Sequence, residues 1–112
     1  MQIVLNRIDE RLIHGQILAT WVKKTSAKKI WIVDDELYKD AFRQSVLFLA
    51  LPQKVEAKVL SLANAFEVME KLDYQTSGAA IVLFRSLKTA YELVQQGYPM
   101  KELNIGLSLI PI

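Results

Sequence analysis

This chain predicts an α/β fold: an open, doubly wound, mainly parallel sheet with helices on both faces. Three observations carry that reading. Short apolar runs recur at Ile3–Leu5, Ile30–Val33, Val55–Leu60 and Ala79–Phe84. Segments with apolar residues at helical spacing separate them. The second and fourth runs are apolar without alternation, as expected of strands that helices cover on both sides.

Taken in order, the first run breaks into Arg7-Ile8-Asp9-Glu10-Arg11-Leu12-Ile13-His14-Gly15-Gln16, which reads as a loop and a helix start. Ile17, Leu18, Trp21 and Val22 form the stripe of the first helix. Asp34 and Asp35 end the second strand. They could form a paired-carboxylate magnesium site, or begin the next helix with charges that suit its dipole. Residues 36 to 50 are apolar but less regular, and Pro52 ends whatever helix lies there. Leu62, Ala65, Phe66, Met69 and Leu72 give another stripe. Leu87, Ala90, Tyr91 and Val94 give a further one, with Ser86 as N-cap and Gly97 as the stop. Leu103 to Ile105 begins a fifth strand.

The alternation βαβαβαβαβ implies right-handed crossovers in a single domain over residues 1–112. The strand order expected is 3-2-1-4-5. Ligands of open parallel sheets sit beyond the carboxyl ends of the strands, where the order reverses. The loop after the first strand would then face Phe84-Arg85-Ser86 across that crevice.

Composition narrows the chemistry. A hydrophobic content of 52% argues against disorder, and the longest apolar run is far too short for a membrane span. No secretory signal is visible, so a cytoplasmic location is expected. The chain has no cysteine, which excludes thiolate catalysis, zinc–thiolate centres and disulfides. A net charge of +2 gives no reason to expect nucleic acid. Lys23, Lys24, Lys28 and Lys29 read as a solvated helix end. There is no GxxxxGK[ST], GxGxxG or GxSxG sequence. With a single histidine, a histidine-rich zinc centre is ruled out, and neither metal nor cofactor is expected.

His14, that single histidine, sits where the loop meets a helix N-terminus. Free N–H groups and the helix dipole favour an anion there. Imidazole is nucleophilic and partly neutral near pH 7, so it can accept a phosphoryl group and lose it readily. Arg11 and Arg7 would supply forked donors, and the N–H groups of Gly15 and Gln16 would supply dipoles. Asp9 could hold the non-reacting ring nitrogen. The same residues would serve equally as a structural histidine beside ordinary surface ion pairs.

The motif RIDERLIHGQI followed by Trp21 resembles the N-terminal signature of the mannose/fructose/sorbose-type IIB component of the bacterial sugar phosphotransferase system. The likeness continues through Ile32-Val33-Asp34-Asp35-Glu36, Ile81-Val82-Leu83-Phe84 and Leu103-Asn104-Ile105-Gly106. It implies a phosphotransferase working through a phosphohistidine. His14 would accept a phosphoryl group from a IIA protein or domain and pass it to a sugar entering through the IIC/IID membrane components. Such a protein would be peripherally associated with that permease. Arg11 carries over as the phosphate-stabilising residue, with Arg7 and Asp9 supporting it. A non-catalytic regulatory or binding module that retains the fold is the competing reading.

Two features depart from the family. Its members usually continue with further strands and helices, and they commonly carry Gly-Gly where this chain has Gly106-Leu107. The apolar end Leu109-Ile110-Pro111-Ile112 would then be uncovered, so a shortened domain that forms homo-oligomers is expected.

Overall fold

The computed structural model describes residues 2–13, 15–71, 78–100 and 102–106. Its elements, in order, are β1 (Gln2–Asp9), α1 (Gly15–Thr25), β2 (Lys29–Val33), α2 (Asp35–Tyr38), α3 (Ala41–Phe48), β3 (Glu56–Leu60), α4 (Leu62–Glu70), β4 (Ala79–Phe84), α5 (Leu87–Gln95) and β5 (Asn104–Gly106). All strand pairs are parallel.

The strand order is β3-β2-β4-β1-β5, which corrects the expected 3-2-1-4-5 by exchanging strands one and four. The physical reason is visible in the strands themselves. Every β4 residue from Ala80 to Phe84 is buried, and a strand apolar on both faces belongs in the middle of a covered sheet. β1 carries Gln2, Asn6, Arg7 and Asp9 and is only partly buried along most of its length. It therefore sits one place from the edge, beside β5, which pairs only with Arg7–Asp9. The adjacency of strands one and four survives the exchange.

Alternation along the strands sorts the core into two layers. Ile30, Ile32, Ile81 and Leu83 pack with Leu18 of α1 and Leu37 of α2, with Leu47 and Phe48 of α3 against them. Trp31, Val33, Val82 and Phe84 pack with Ala65 and Met69 of α4 and Ala90 and Leu93 of α5. So α1, α2 and α3 cover one face while α4 and α5 cover the other. The chain leaves β1 toward the first face and β4 toward the second. A ligand-receiving edge therefore lies between them.

Caps follow the sequence closely. Ser86 accepts a hydrogen bond from the Thr89 N–H at 3.4 Å and starts α5. At its other end Gly97 takes φ 111°, with Gly97 N–H bonded to Val94 O and Tyr98 N–H to Leu93 O. That is the paired bonding of a glycine-terminated helix. The irregular stretch 36–50 resolves into two helices, because Asp40 caps a fresh start by accepting from the Arg43 N–H at 3.0 Å. Leu72 and the chain end from Leu107 to Ile112 lie outside the described residues.

Candidate phosphoryl-receiving site

Strand register levels the carboxyl edge of the sheet. Ile8 pairs with Phe84, and Phe84 with Val33, and all three are buried in one core layer. The next residues in each strand, Asp9, Arg85 and Asp34, therefore emerge along one row. β4 separates β1 from β2, so the two aspartates start about 10 Å apart, twice the interstrand spacing.

β1 is longer than its apolar run implied. Arg7, Ile8 and Asp9 are strand residues rather than loop residues, pairing with Asn104, Ile105 and Gly106 of β5. Their charges are tolerated because they neutralise one another. Asp9 is 1% exposed. One of its oxygens lies 3.6 Å from Arg7 Nη2, and the other 3.3 Å from Arg11 Nε. That second oxygen also accepts from the Arg11 backbone N–H at 3.0 Å, the local side-chain bond that lets aspartate organise a turn.

The turn is tightened by Leu12. Its N–H bonds to Asp9 O at 2.9 Å, and its φ is 55°. A left-handed leucine costs on the order of 1–3 kcal/mol and persists only where surroundings hold it. Here Leu12 and Ile13 are buried beneath α1. The loop is thus anchored into the core on one side, while Arg11 stands half-exposed on the other.

The two arginines differ in what they have left to give. Arg7 is largely buried, donates from Nη1 to Asn104 Oδ1, and lies 5.9 Å from the centre of the Trp21 ring. Arg11 is fixed through its backbone N–H and its Nε, and among the described residues its two terminal nitrogens have no protein partner. A guanidinium held at its base with its fork open is suited to an oxyanion.

His14 lies outside the described residues. On either side of it, Ile13 is buried and Gly15 opens α1. The first turn of α1, which begins with Gly15 and Gln16, contains no acidic side chain, a composition that leaves a helix N-terminus attractive to an anion. The described ion partners of Asp9 are the two arginines.

The other expected wall of the crevice is differently engaged. Phe84 is a strand residue, not a loop residue, and its side chain is wholly buried in the core. Arg85 lies 3.3 Å from Asp34 through Nη2 and donates to Glu36 from Nη1 at 3.4 Å. Ser86 is the cap of α5. Asp34 accepts from the Leu37 N–H at 2.9 Å, and Asp35 from the Leu62 N–H at 2.7 Å. Helix starting is therefore what these two carboxylates do, and among the described residues no acidic cluster is arranged to hold a metal. Asn104 enters the sequence pattern only within the run Leu103-Asn104-Ile105-Gly106. The signal was a lone amide between Leu103 and Ile105 in a short strand, where asparagine is disfavoured unless it has a partner.

The geometry is that of a doubly wound parallel α/β protein in which the end of β1 and the turn after it gather Arg7 and Arg11 around a buried Asp9, just before the N-terminus of α1. Comparison with known proteins is more specific. Residues 3–109 match the family described as PTS system sorbose subfamily IIB component, and the chain belongs to that family. It is 37% identical over 106 residues to the sorbose-specific EIIB component of Lacticaseibacillus casei, covering 95% of this chain and 64% of that protein. The mannose-specific EIIAB component of Escherichia coli K12 is 34% identical over 95% of this chain, which spans 32% of that longer protein. The crystal structure of the sorbose permease IIB domain of Klebsiella pneumoniae superposes with a TM-score of 0.84 at 37% identity, covering 99% of this chain and 68% of that one. Among the described residues no helix is long and apolar enough to cross a membrane.

Proposed function

We propose that this chain is a phosphoryl carrier of a sugar phosphotransferase system, with His14 as the acceptor. In the first step an imidazole nitrogen of His14 attacks the phosphorus of a phosphohistidine on a IIA protein or domain. A new P–N bond forms as the donor's P–N bond breaks. In the second step a sugar hydroxyl oxygen attacks that phosphorus, the P–N bond to His14 breaks, and the freed imidazole takes up the hydroxyl proton, directly or through water. The acceptor sugar arrives through IIC/IID membrane components, and the carrier works at the cytoplasmic side of that permease.

One observation carries the reading: Arg11, three residues before His14 in sequence, is fixed by Asp9 at its base, and its two terminal nitrogens have no partner among the described residues. Phosphoryl transfer asks a protein chiefly for positioning and for charge stabilisation on the equatorial oxygens. Arg11 supplies the charge, the N–H groups of Gly15 and Gln16 add dipoles, and Arg7 and Asp9 hold Arg11 in place. Arg85 and Ser86, engaged with other partners, shape the edge without holding the phosphoryl group. A IIA partner is further supported by a relative whose name joins A and B components in one protein.

The test is intact-mass analysis after incubation with phosphoenolpyruvate and the upstream phosphotransfer proteins. The wild-type chain should gain one acid-labile phosphoryl group, and the His14→Ala chain none. Acid-labile label on the variant would displace His14. A wild-type chain that never labels would favour the non-catalytic binding module.

A further inference from the structure

We infer that Asn104 is a positioning residue for the phosphoryl-receiving loop, acting through Arg7 and Asp9 on Arg11. The inference rests on the functional reading above and deepens it by linking β5 to that loop.

Asn104 stands directly opposite Arg7 in the β1–β5 register, and its Oδ1 accepts a hydrogen bond from Arg7 Nη1. Arg7 Nη2 faces one oxygen of Asp9 at 3.6 Å, and the other oxygen holds Arg11 by its backbone N–H and Nε. Four side chains thus form one continuous polar chain from β5 to the half-exposed Arg11 guanidinium. Arg7 and Asp9 are two residues apart on one strand, so they share a face, and Leu5, Leu12, Leu18 and Trp21 line the small space around them.

What makes Asn104 consequential is how little else holds Arg7. Its Nε is buried and has no hydrogen-bond partner among the described residues. Among the described residues its remaining polar ties are Asn104 and the 3.6 Å pairing with Asp9, with the Trp21 ring 5.9 Å away. A buried cation deprived of one partner turns toward the other. Without the amide, Arg7 swings onto the Asp9 carboxylate and competes with Arg11 for the oxygen that now fixes it. Arg11 then loses its fixed base, although Asn104 never meets the phosphoryl group.

The test reads Arg11 directly, by the ¹⁵N–¹H signals of arginine Nε in the full chain. Asn104→Ala should move the Arg11 Nε–H signal toward that of free arginine and speed its exchange, while Asn104→Asp, which still accepts from Arg7, should preserve it. Phosphorylation of His14 by the upstream proteins should slow about tenfold in Asn104→Ala through kcat, and stay within about threefold of wild type in Asn104→Asp. In an Arg11→Ala background, Asn104→Ala should add nothing further. Asn104→Leu, similar in size and better suited to a strand, gives the same reading if the alanine variant does not fold. An unchanged Arg11 signal, or an equal slowing with and without Arg11, would overturn the inference. A wild-type chain that never labels would overturn the functional reading instead, while the Arg11 signal would still decide the coupling.

Discussion

Two aspartate–arginine clusters stand along one edge of this sheet, and they do different work. At the end of β1, Asp9 is buried between Arg7 and Arg11. At the end of β2, Asp34 caps α2 and pairs with Arg85, which also reaches Glu36. Both have an aspartate just at or beyond the last strand residue and a guanidinium beside it. The difference lies in unengaged donors. Both terminal nitrogens of Arg85 are occupied by carboxylates, whereas those of Arg11 have no partner among the described residues. A strand-end arginine by itself identifies nothing; the hydrogen-bonding capacity it has left over is what separates the proposed receiving site from a structural clasp.

Removing the open guanidinium should break the comparison most severely. Arg11→Ala is expected to slow phosphoryl transfer by about 10²–10³-fold, the range for losing a preorganised donor to developing charge. Arg11→Lys should recover only part of the rate, because an ammonium lacks the planar fork that can bond Asp9 and a phosphoryl oxygen together. Stopped-time labelling checks both.

The clasp should register in stability rather than in rate. Asp34→Ala removes the cap of α2 and leaves Arg85 with only an exposed glutamate, so unfolding free energy should fall by about 1–2 kcal/mol. Transfer, measured on the folded protein, should stay within about threefold of wild type. Arg85→Ala should have the smallest effect, about 0–1 kcal/mol in denaturant unfolding, as for a partly solvated pair.

Much of this arrangement was legible in local pattern. Ser86 and Gly97 bracket α5 because capping chemistry is confined to a few neighbouring residues, and Ile17, Leu18, Trp21 and Val22 marked the covered side of α1. Strand order was harder. The continuous apolar run of β4 and the polar interruptions of β1 both bear on which strand is central, yet neither run names its neighbour. Arg7 and Asp9 looked like loop charges for a related reason. Their place in a strand rests on pairing with β4 and β5, where Asn104 lies 97 residues from Arg7, and no periodicity within a window reports so distant a partner. The family motif, in contrast, marked Arg11 and His14 from sequence. What it could not convey is that Asp9 serves both arginines at once.

The central claim is that Arg11, and not Arg85, faces the phosphoryl group, and a head-to-head rate comparison tests it most directly. Wild type, Arg11→Ala and Arg85→Ala should be phosphorylated under identical single-turnover conditions by the same upstream proteins, with folding of each checked by its unfolding midpoint. A loss of about a hundredfold or more is expected for Arg11→Ala and less than about threefold for Arg85→Ala. Equal losses in the two variants, or a larger loss at Arg85, would contradict it.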